Sequence, residues 1–313
     1  MEHKFDNDNK FGINEKLGSQ NNISDANFRA SASELIDFFK LGDKAHFYVS
    51  LPPENVASKV LSAAALILDA DVLREEFTHQ PLAAYDGSLP MDLAVFAPSQ
   101  LIYLINHPEL LALIHSFIIT GRINGRMERW LSDFGVDAYV AYSTDHGIMA
   151  LSSVSYELKP FDALGDNVFG VDERGCLLID SQHYSPKHLA TDDMVTIVSP
   201  SQFFWHGDFN NVIHIDGKNV FPEEVEMKIA KFFPHIRYYV TSSTSEASGE
   251  EVVLAIEYSS LPAGFRKEGL IREGLIEEMQ KVLLPYELPH SYVAVNKFEE
   301  SAGGVIRRTK YFS

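Results

Sequence analysis

The chain has 313 residues, and 26 basic against 44 acidic side chains give a formal net charge of −18. Hydrophobic residues at 45% with 22% charged exclude a wholly disordered polymer, and the length suits about two domains. The acidic excess argues against a nucleic-acid partner, because most of the surface repels phosphate.

Residues 1–26 are polar, rich in Asn, Asp and Lys, and lack the apolar h-region of a signal peptide. From Asn27 onward, Phe28, Leu35, Phe38 and Phe39 recur at near-helical spacing. Strands predicted at 45–51, 92–96, 116–120 and 138–142 then alternate with helices at 53–68, 98–105 and 125–134. Pro53 suits the first turn of its helix. This rhythm predicts a layered α/β core with a mainly parallel sheet. The most apolar runs, 61–68 and 110–120, fall short of the roughly 18 residues of a membrane span, so none is expected.

From about residue 147 the texture changes to short strands at 148–154, 167–171, 176–180, 195–199 and 203–206, an attached β-rich subdomain. Asp172-Glu173-Arg174-Gly175 reads as a hairpin turn. Cys176 is the only cysteine, which excludes an internal disulfide and cysteine-rich zinc sites and suits the reducing cytoplasm. Beyond Asn210 comes a small α+β domain. It has a strand at 211–216, a turn at Gly217-Lys218, and a helix opened by Pro222 over three glutamates and stopped by Pro234. Strands at 238–241, 252–258 and 292–295 and a helix near 270–284 complete it.

Thr191-Asp192-Asp193, Gly207-Asp208-Phe209-Asn210, and Asp216-Gly217-Lys218-Asn219-Val220-Phe221-Pro222-Glu223-Glu224-Val225-Glu226 together resemble the adenylate-forming acyl-CoA synthetase superfamily. The nearest look is to its o-succinylbenzoate–CoA ligase branch. The resemblance implies a polar leader at 1–26 holding a degenerate phosphate loop, a shortened AMP-binding-type core at 27–209, and a mobile C-terminal domain at 210–313. Members activate a carboxylate with ATP and Mg²⁺, releasing pyrophosphate, and pass the acyl group from AMP to a thiol.

Carried over position by position, the family's chemistry thins out. The phosphate loop falls on 13–21, where only Gly18 matches and Glu15 brings a carboxylate toward phosphate. The Y-G-x-T-E motif becomes Tyr142-Ser143-Thr144-Asp145-His146. Tyr142 keeps the aromatic flanking adenine, with Ser143 and Asp145 beside it in the nucleotide pocket. His146 stands where the Mg²⁺ carboxylate belongs, and histidine is a poor ligand for that hard ion. Asp193 matches the ribose-binding aspartate, although an acidic turn is equally compatible with its surroundings. At the hinge, Asp208 replaces the arginine of GRxD and Asn210 its aspartate. Val305 occupies the position of the lysine that reaches the α-phosphate, leaving Arg307, Arg308 or Lys310 as surrogates. Asn55 and Lys59 resemble the acyl-pocket wall, and the resemblance adds Thr144 and His146 to the substrate pocket; a surface position or helix packing explains Asn55 and Lys59 as well.

No metal site is expected, since His183 and His188 lie in a loop and His214 and Asp216 alternate on a strand face. The cluster Phe203, Phe204 and Trp205 is expected in the core. The leading reading is a degenerate homologue without ATP-dependent activation, binding a small aromatic or acyl carboxylate, binding a nucleotide weakly, or acting through a partner. Homodimerisation or pairing with an active paralogue fits that reading. An active acid–thiol ligase, using ATP, Mg²⁺ and a CoA or carrier-protein thiol, is the alternative. A structural subunit is the third.

Overall fold

The computed structural model describes residues 12–13, 22–87, 89–123, 125–155, 157–233, 236–245, 249–260, 273–299 and 306–312. Successive strand residues point to opposite faces, so a strand covered on both sides is apolar throughout. In β2 (His46–Val49), following β1 (Gly12–Ile13) and α1 (Asn22–Phe39), Phe47 and Val49 face one helical layer and Tyr48 the other. α2 (Val56–Leu68) leads to β3 (Asp71–Arg74) and then β4 (Met91–Phe96). In β4, Leu93 and Val95 join Phe47 while Ala94 and Phe96 join Tyr48. The first layer is α1 and α2, packed through Phe28, Leu35, Val60 and Leu61. The second is α3 (Pro98–Asn106), α4 (Pro108–Leu111) and α5 (Gly125–Phe134), packed through Leu101, Leu104, Leu111 and Leu131.

β5 (Ile114–Ile119) and β6 (Asp137–Thr144) complete the parallel block, in the order β3-β2-β4-β5-β6, with β1 antiparallel on β3. Parallel pairing then ends for a local reason. The Asp145-His146 turn is far too short for a crossover, so β7 (Gly147–Ser153) must return antiparallel. The same sheet continues through β8 (Phe161–Ala163), β12 (Gln202–Asp208), β11 (His188–Ser199), β10 (Cys176–Asp180) and β9 (Val168–Val171). Its 12 strands therefore run from an α/β layer into an all-antiparallel half whose core holds Met149, Phe169, Leu177, Ile179 and Phe203.

Beyond β12, β13 (Ile213–Ile215) and β14 (Lys218–Val220) form a hairpin whose turn, Asp216-Gly217, has positive φ at both residues, 49° and 75°. Glycine takes that conformation without strain. α6 (Pro222–Ile229) follows with Glu223 and Glu224 in its first turn, then a 3-10 turn at Ala230–Phe232; the expected stop at Pro234 lies outside the described residues. β15 (Tyr238–Ser245), β16 (Gly249–Glu257), β17 (Ser291–Val295) and β18 (Tyr311–Phe312) form a separate sheet in the order β17-β16-β15-β18. α7 (Glu273–Gln280) is the described part of the helix expected at 270–284. Val225, Ile229, Val240, Val252, Leu254 and Met279 make this domain's core.

Several elements differ from expectation. α2 opens at Val56 with Asn55 as its N-cap, so Pro53 precedes the helix instead of sitting in its first turn. β3, β8 and the first half of β11 arise where no strand is expected. Their residues are largely half-buried or exposed, so pairing with neighbours defines them, not a run of apolar side chains. Among the described residues, no helix is long and apolar enough to cross a membrane.

Candidate functional site

Open α/β sheets bind ligands beyond the C-terminal strand ends, where strand order reverses. Here the reversal lies between β2 and β4, and a side chain closes it. Gln100, fully buried, donates from Nε2 to Ser50 O at 3.1 Å and Thr78 O at 2.8 Å, and its Oε1 accepts from Ala97 N at 2.8 Å. Open space lies farther along, as a cavity of about 500 Å³ at the junction with the C-terminal domain. Pro98, Ile102, Arg122 and Met127 line it from the core, and Glu223 and Arg308 from the other side.

Beside the cavity runs a chain of polar contacts across three strands and the loop after β5. The Tyr142 hydroxyl, at the end of β6, donates to Asp193 Oδ2 at 2.6 Å. Trp205 Nε1, on β12, donates to Asp193 Oδ1 at 2.6 Å. Both oxygens of the aspartate expected at ribose thus already accept a short bond from this chain's own side chains. Burial and the adjoining Asp193 carboxylate push the Tyr142 hydroxyl far above its usual range, so it remains a donor at neutral pH. The guanidinium of Arg122, just past β5, lies 3.1 Å from the centroid of the Trp205 ring, and Nη2 donates to Trp205 O at 3.3 Å. Of the three aromatics expected in the core, Phe203 is buried, Phe204 is half-buried, and Trp205 is half-buried, packing on that core while its indole N–H reaches Asp193.

The α6 glutamates close the far side. Arg308 grips Glu226 with both Nη atoms and donates to Val240 O at 2.8 Å, while Glu226 Oε1 accepts from Val240 N at 2.6 Å. Glu223 Oε1 accepts from Asn211 Nδ2 at 2.6 Å and lies 3.5 Å from Arg308 Nη2; burial raises the Glu223 carboxyl above its ordinary value. Glu224 accepts from His206 Nδ1, whose other ring nitrogen meets Thr196 Oγ1 at 2.7 Å.

The other sequence-derived positions scatter. His146 Nδ1 accepts from Asn27 Nδ2 at 3.2 Å; Thr144 Oγ1 accepts from His146 N at 3.2 Å; Ser143 and Asp145 are exposed. Asp208 Oδ1 caps a short 3-10 turn by accepting from Asn210 N at 2.7 Å, directly across the ladder from Asp193. Asn55 accepts from Ala57 N at 2.9 Å as a helix cap, and Lys59 Nζ lies 5.2 Å from the Phe28 ring centre. Of the cationic surrogates, Arg308 reaches the cavity. Arg307 is exposed, and Lys310 Nζ lies 3.8 Å from Glu250 Oε1. Val305, Glu15 and Gly18 lie outside the described residues.

Sequence reasoning misses Arg122 and Gln100, and also a buried polar stripe on α1. Asn27, Ser31 and Glu34 recur at helical spacing among Phe28, Ala32 and Leu35, a signal that was available. Asn27 Oδ1 accepts from Ser185 N at 3.0 Å, Ser31 Oγ from Ile148 N at 3.0 Å, and Glu34 Oε2 from the Tyr184 hydroxyl at 2.9 Å.

The architecture is that of the AMP-forming acyl-CoA synthetases. It is similar to the AMP-forming acyl-CoA synthetase/AMP-acid ligase II-like protein of Dyadobacter fermentans, with a TM-score of 0.57 and 23% identity over 90% of this chain and 81% of that one. It is also similar to o-succinylbenzoate coenzyme A synthetase of Bacillus subtilis in complex with ATP and magnesium ion, with a TM-score of 0.76 and 12% identity over 90% of this chain and 64% of that one. A third likeness is to the amide bond synthetase McbA of Marinactinospora thermotolerans, with a TM-score of 0.73, 16% identity and coverage of 90% and 64%. The chain thus spans about four fifths of the first structure and under two thirds of the other two. No protein-family model and no curated protein sequence matches it.

Proposed function

We propose that the chain is an adenylate-forming-ligase scaffold that binds a small aromatic or acyl carboxylate, or a protein partner, without activating it through ATP. The observation that carries this reading is the prior engagement of Asp193, each of whose oxygens already accepts a bond, from Tyr142 and Trp205, while Arg122 stacks on the indole. Among the described residues, those carried over to the family's Mg²⁺ and hinge positions suit Mg²⁺–ATP poorly. An imidazole bonded to Asn27 stands at the family's Mg²⁺ carboxylate, and an aspartate that caps a turn stands at its hinge arginine. The cavity sets the Arg122 guanidinium, with the Arg308, Glu223 and Glu226 cluster facing it, against the apolar side chains Ile102, Ile123 and Met127. That combination suits a carboxylate on an apolar body.

Two measurements on the purified protein test the reading. ATP–pyrophosphate exchange over a panel of aryl and fatty acids is expected at background, and clear exchange abolished by Asp193→Ala overturns it. In thermal denaturation, members of the acid panel should raise Tm in the parent and not in Arg122→Met, because a ligand of the folded state stabilises it. No response to any acid sinks the ligand half and leaves a structural subunit.

A further inference from the structure

A second polar centre lies away from the cavity, where α1 meets the β-rich half of the sheet. Glu34 projects from α1, and its side chain is 9% exposed. Asp166 comes from the loop between β8 and β9, and His183 from the loop between β10 and β11. Glu34 Oε2 accepts from Tyr184, but Glu34 Oε1 is buried with no hydrogen-bond donor. That oxygen lies 3.7 Å from His183 Nδ1, which lies 3.0 Å from Asp166 Oδ1. The three ligand atoms all fall within 4.8 Å of one another.

The surroundings bring these groups close on purpose-built backbone. Gly165 has φ +61°, and a Cβ there would meet Glu34 Cδ at 2.3 Å, so only glycine lets the Asp166 loop approach. Asn167, buried, pins that loop by donating to Leu164 O at 2.8 Å and Met149 O at 3.0 Å. Glu34 and Asp166 bring two carboxylates together around one buried, donorless oxygen, and burial with the Asp166 charge pushes the Glu34 carboxyl up to about 7; either a proton or a bound cation relieves the repulsion. A protonated His183 supplies one positive charge to Asp166 but leaves Glu34 Oε1 without a bond.

We propose that Glu34 Oε1, Asp166 Oδ1 and His183 Nδ1 are ligands of a divalent cation that staples α1 to the β-rich half of the sheet. Ligand atoms about 2.1 Å from a tetrahedral ion stand about 3.4 Å apart; the two separations from His183 Nδ1, 3.0 and 3.7 Å, bracket that figure, and the third lies within 4.8 Å. One imidazole with two carboxylates suits Zn²⁺ or Mn²⁺ better than Mg²⁺ or Ca²⁺, which favour oxygen throughout. His183 is largely exposed, so water completes the coordination from solvent. Binding displaces the Nδ1 proton of His183 to bulk, and the ring keeps its proton on Nε2. The Tyr184 hydroxyl, already on Glu34 Oε2, orients the carboxylate behind the ion. The site is independent of the proposed carboxylate cavity, and either reading stands if the other fails.

The test uses the full chain stripped with EDTA and titrated with ZnCl2, MnCl2 or MgCl2, read by calorimetry and by bound metal after dialysis. One Zn²⁺ or Mn²⁺ should be retained per chain, with Mg²⁺ bound far more weakly. Asp166→Asn and His183→Ala should each weaken binding by more than ~tenfold. His188→Ala, at the neighbouring His188–Asp180 pair, should leave it unchanged. Glu34→Gln should behave like His183→Ala; because His183 is exposed, its variant tests the site even if the buried substitution misfolds. No retained Zn²⁺ or Mn²⁺, equal binding of Mg²⁺, or unaltered binding by His183→Ala overturns the assignment.

Discussion

Arg308→Met removes three interactions at once: the paired contacts to Glu226, the 3.5 Å approach to Glu223, and the donor to Val240 O at 2.8 Å. Truncating one partner of a buried ion pair costs about 3–5 kcal/mol, because the other charge is left without compensation. The side chains of Arg308 and Glu226 keep 18% and 21% exposure, so water recovers part of this and about 2–3 kcal/mol is expected. Most of that loss is the stranded carboxylate, not the pair's intrinsic worth. Adding Glu226→Gln, whose amide oxygen still accepts from Val240 N, should therefore restore about 1–2 kcal/mol. Urea unfolding followed by far-ultraviolet circular dichroism at 25 °C measures both variants with unchanged m-values. A cost below about 0.5 kcal/mol for Arg308→Met, or no recovery in the double variant, refutes the reasoning.

Glu223→Gln should raise stability at pH 8 and have little effect near pH 4. Burial raises the folded-state value, so the parent's stability is full below the unfolded carboxyl's 4.5 and declines as pH rises through the folded value. Urea midpoints at the two pH values check this, and a larger gain at the lower pH contradicts it. Gly147→Ala should cost about 2 kcal/mol or more, because a Cβ there would lie 2.8 Å from Ser31 Cβ at φ +153°. A neutral urea curve would count against the tight seat of α1 on β7. Tyr142→Phe should cost about 1–3 kcal/mol by leaving Asp193 Oδ2 without its donor; an unchanged midpoint would show that solvent takes over.

The two helical layers are legible in the sequence because they depend on local periodicity. Leu93, Ala94, Val95 and Phe96 read as a doubly buried strand, and Pro222 followed by glutamates reads as a helix start. Strands such as β3 and the start of β11 are not, since their residues gain their conformation from pairing partners. The site is less legible still. Tyr142 and Asp193 are marked by motif, yet what Asp193 holds depends on Trp205, and what fills the space beside it depends on Arg122, 83 residues earlier in the chain. Gln100 meets Ser50 across 50 residues, and Asn27 meets Ser185 across 158. Such partnerships leave no spacing to read.

The glutamates at the start of α6 reach back across the junction between the two sheets. His206–Glu224 bridges over residues 208–211, and Asn211–Glu223 ties the end of that segment to α6. They act as a clasp that ties the first turn of α6 to β12 and to the 3-10 turn after it. The seating of α6 against β12 thus rests on two carboxylate contacts as well as on the chain that joins them.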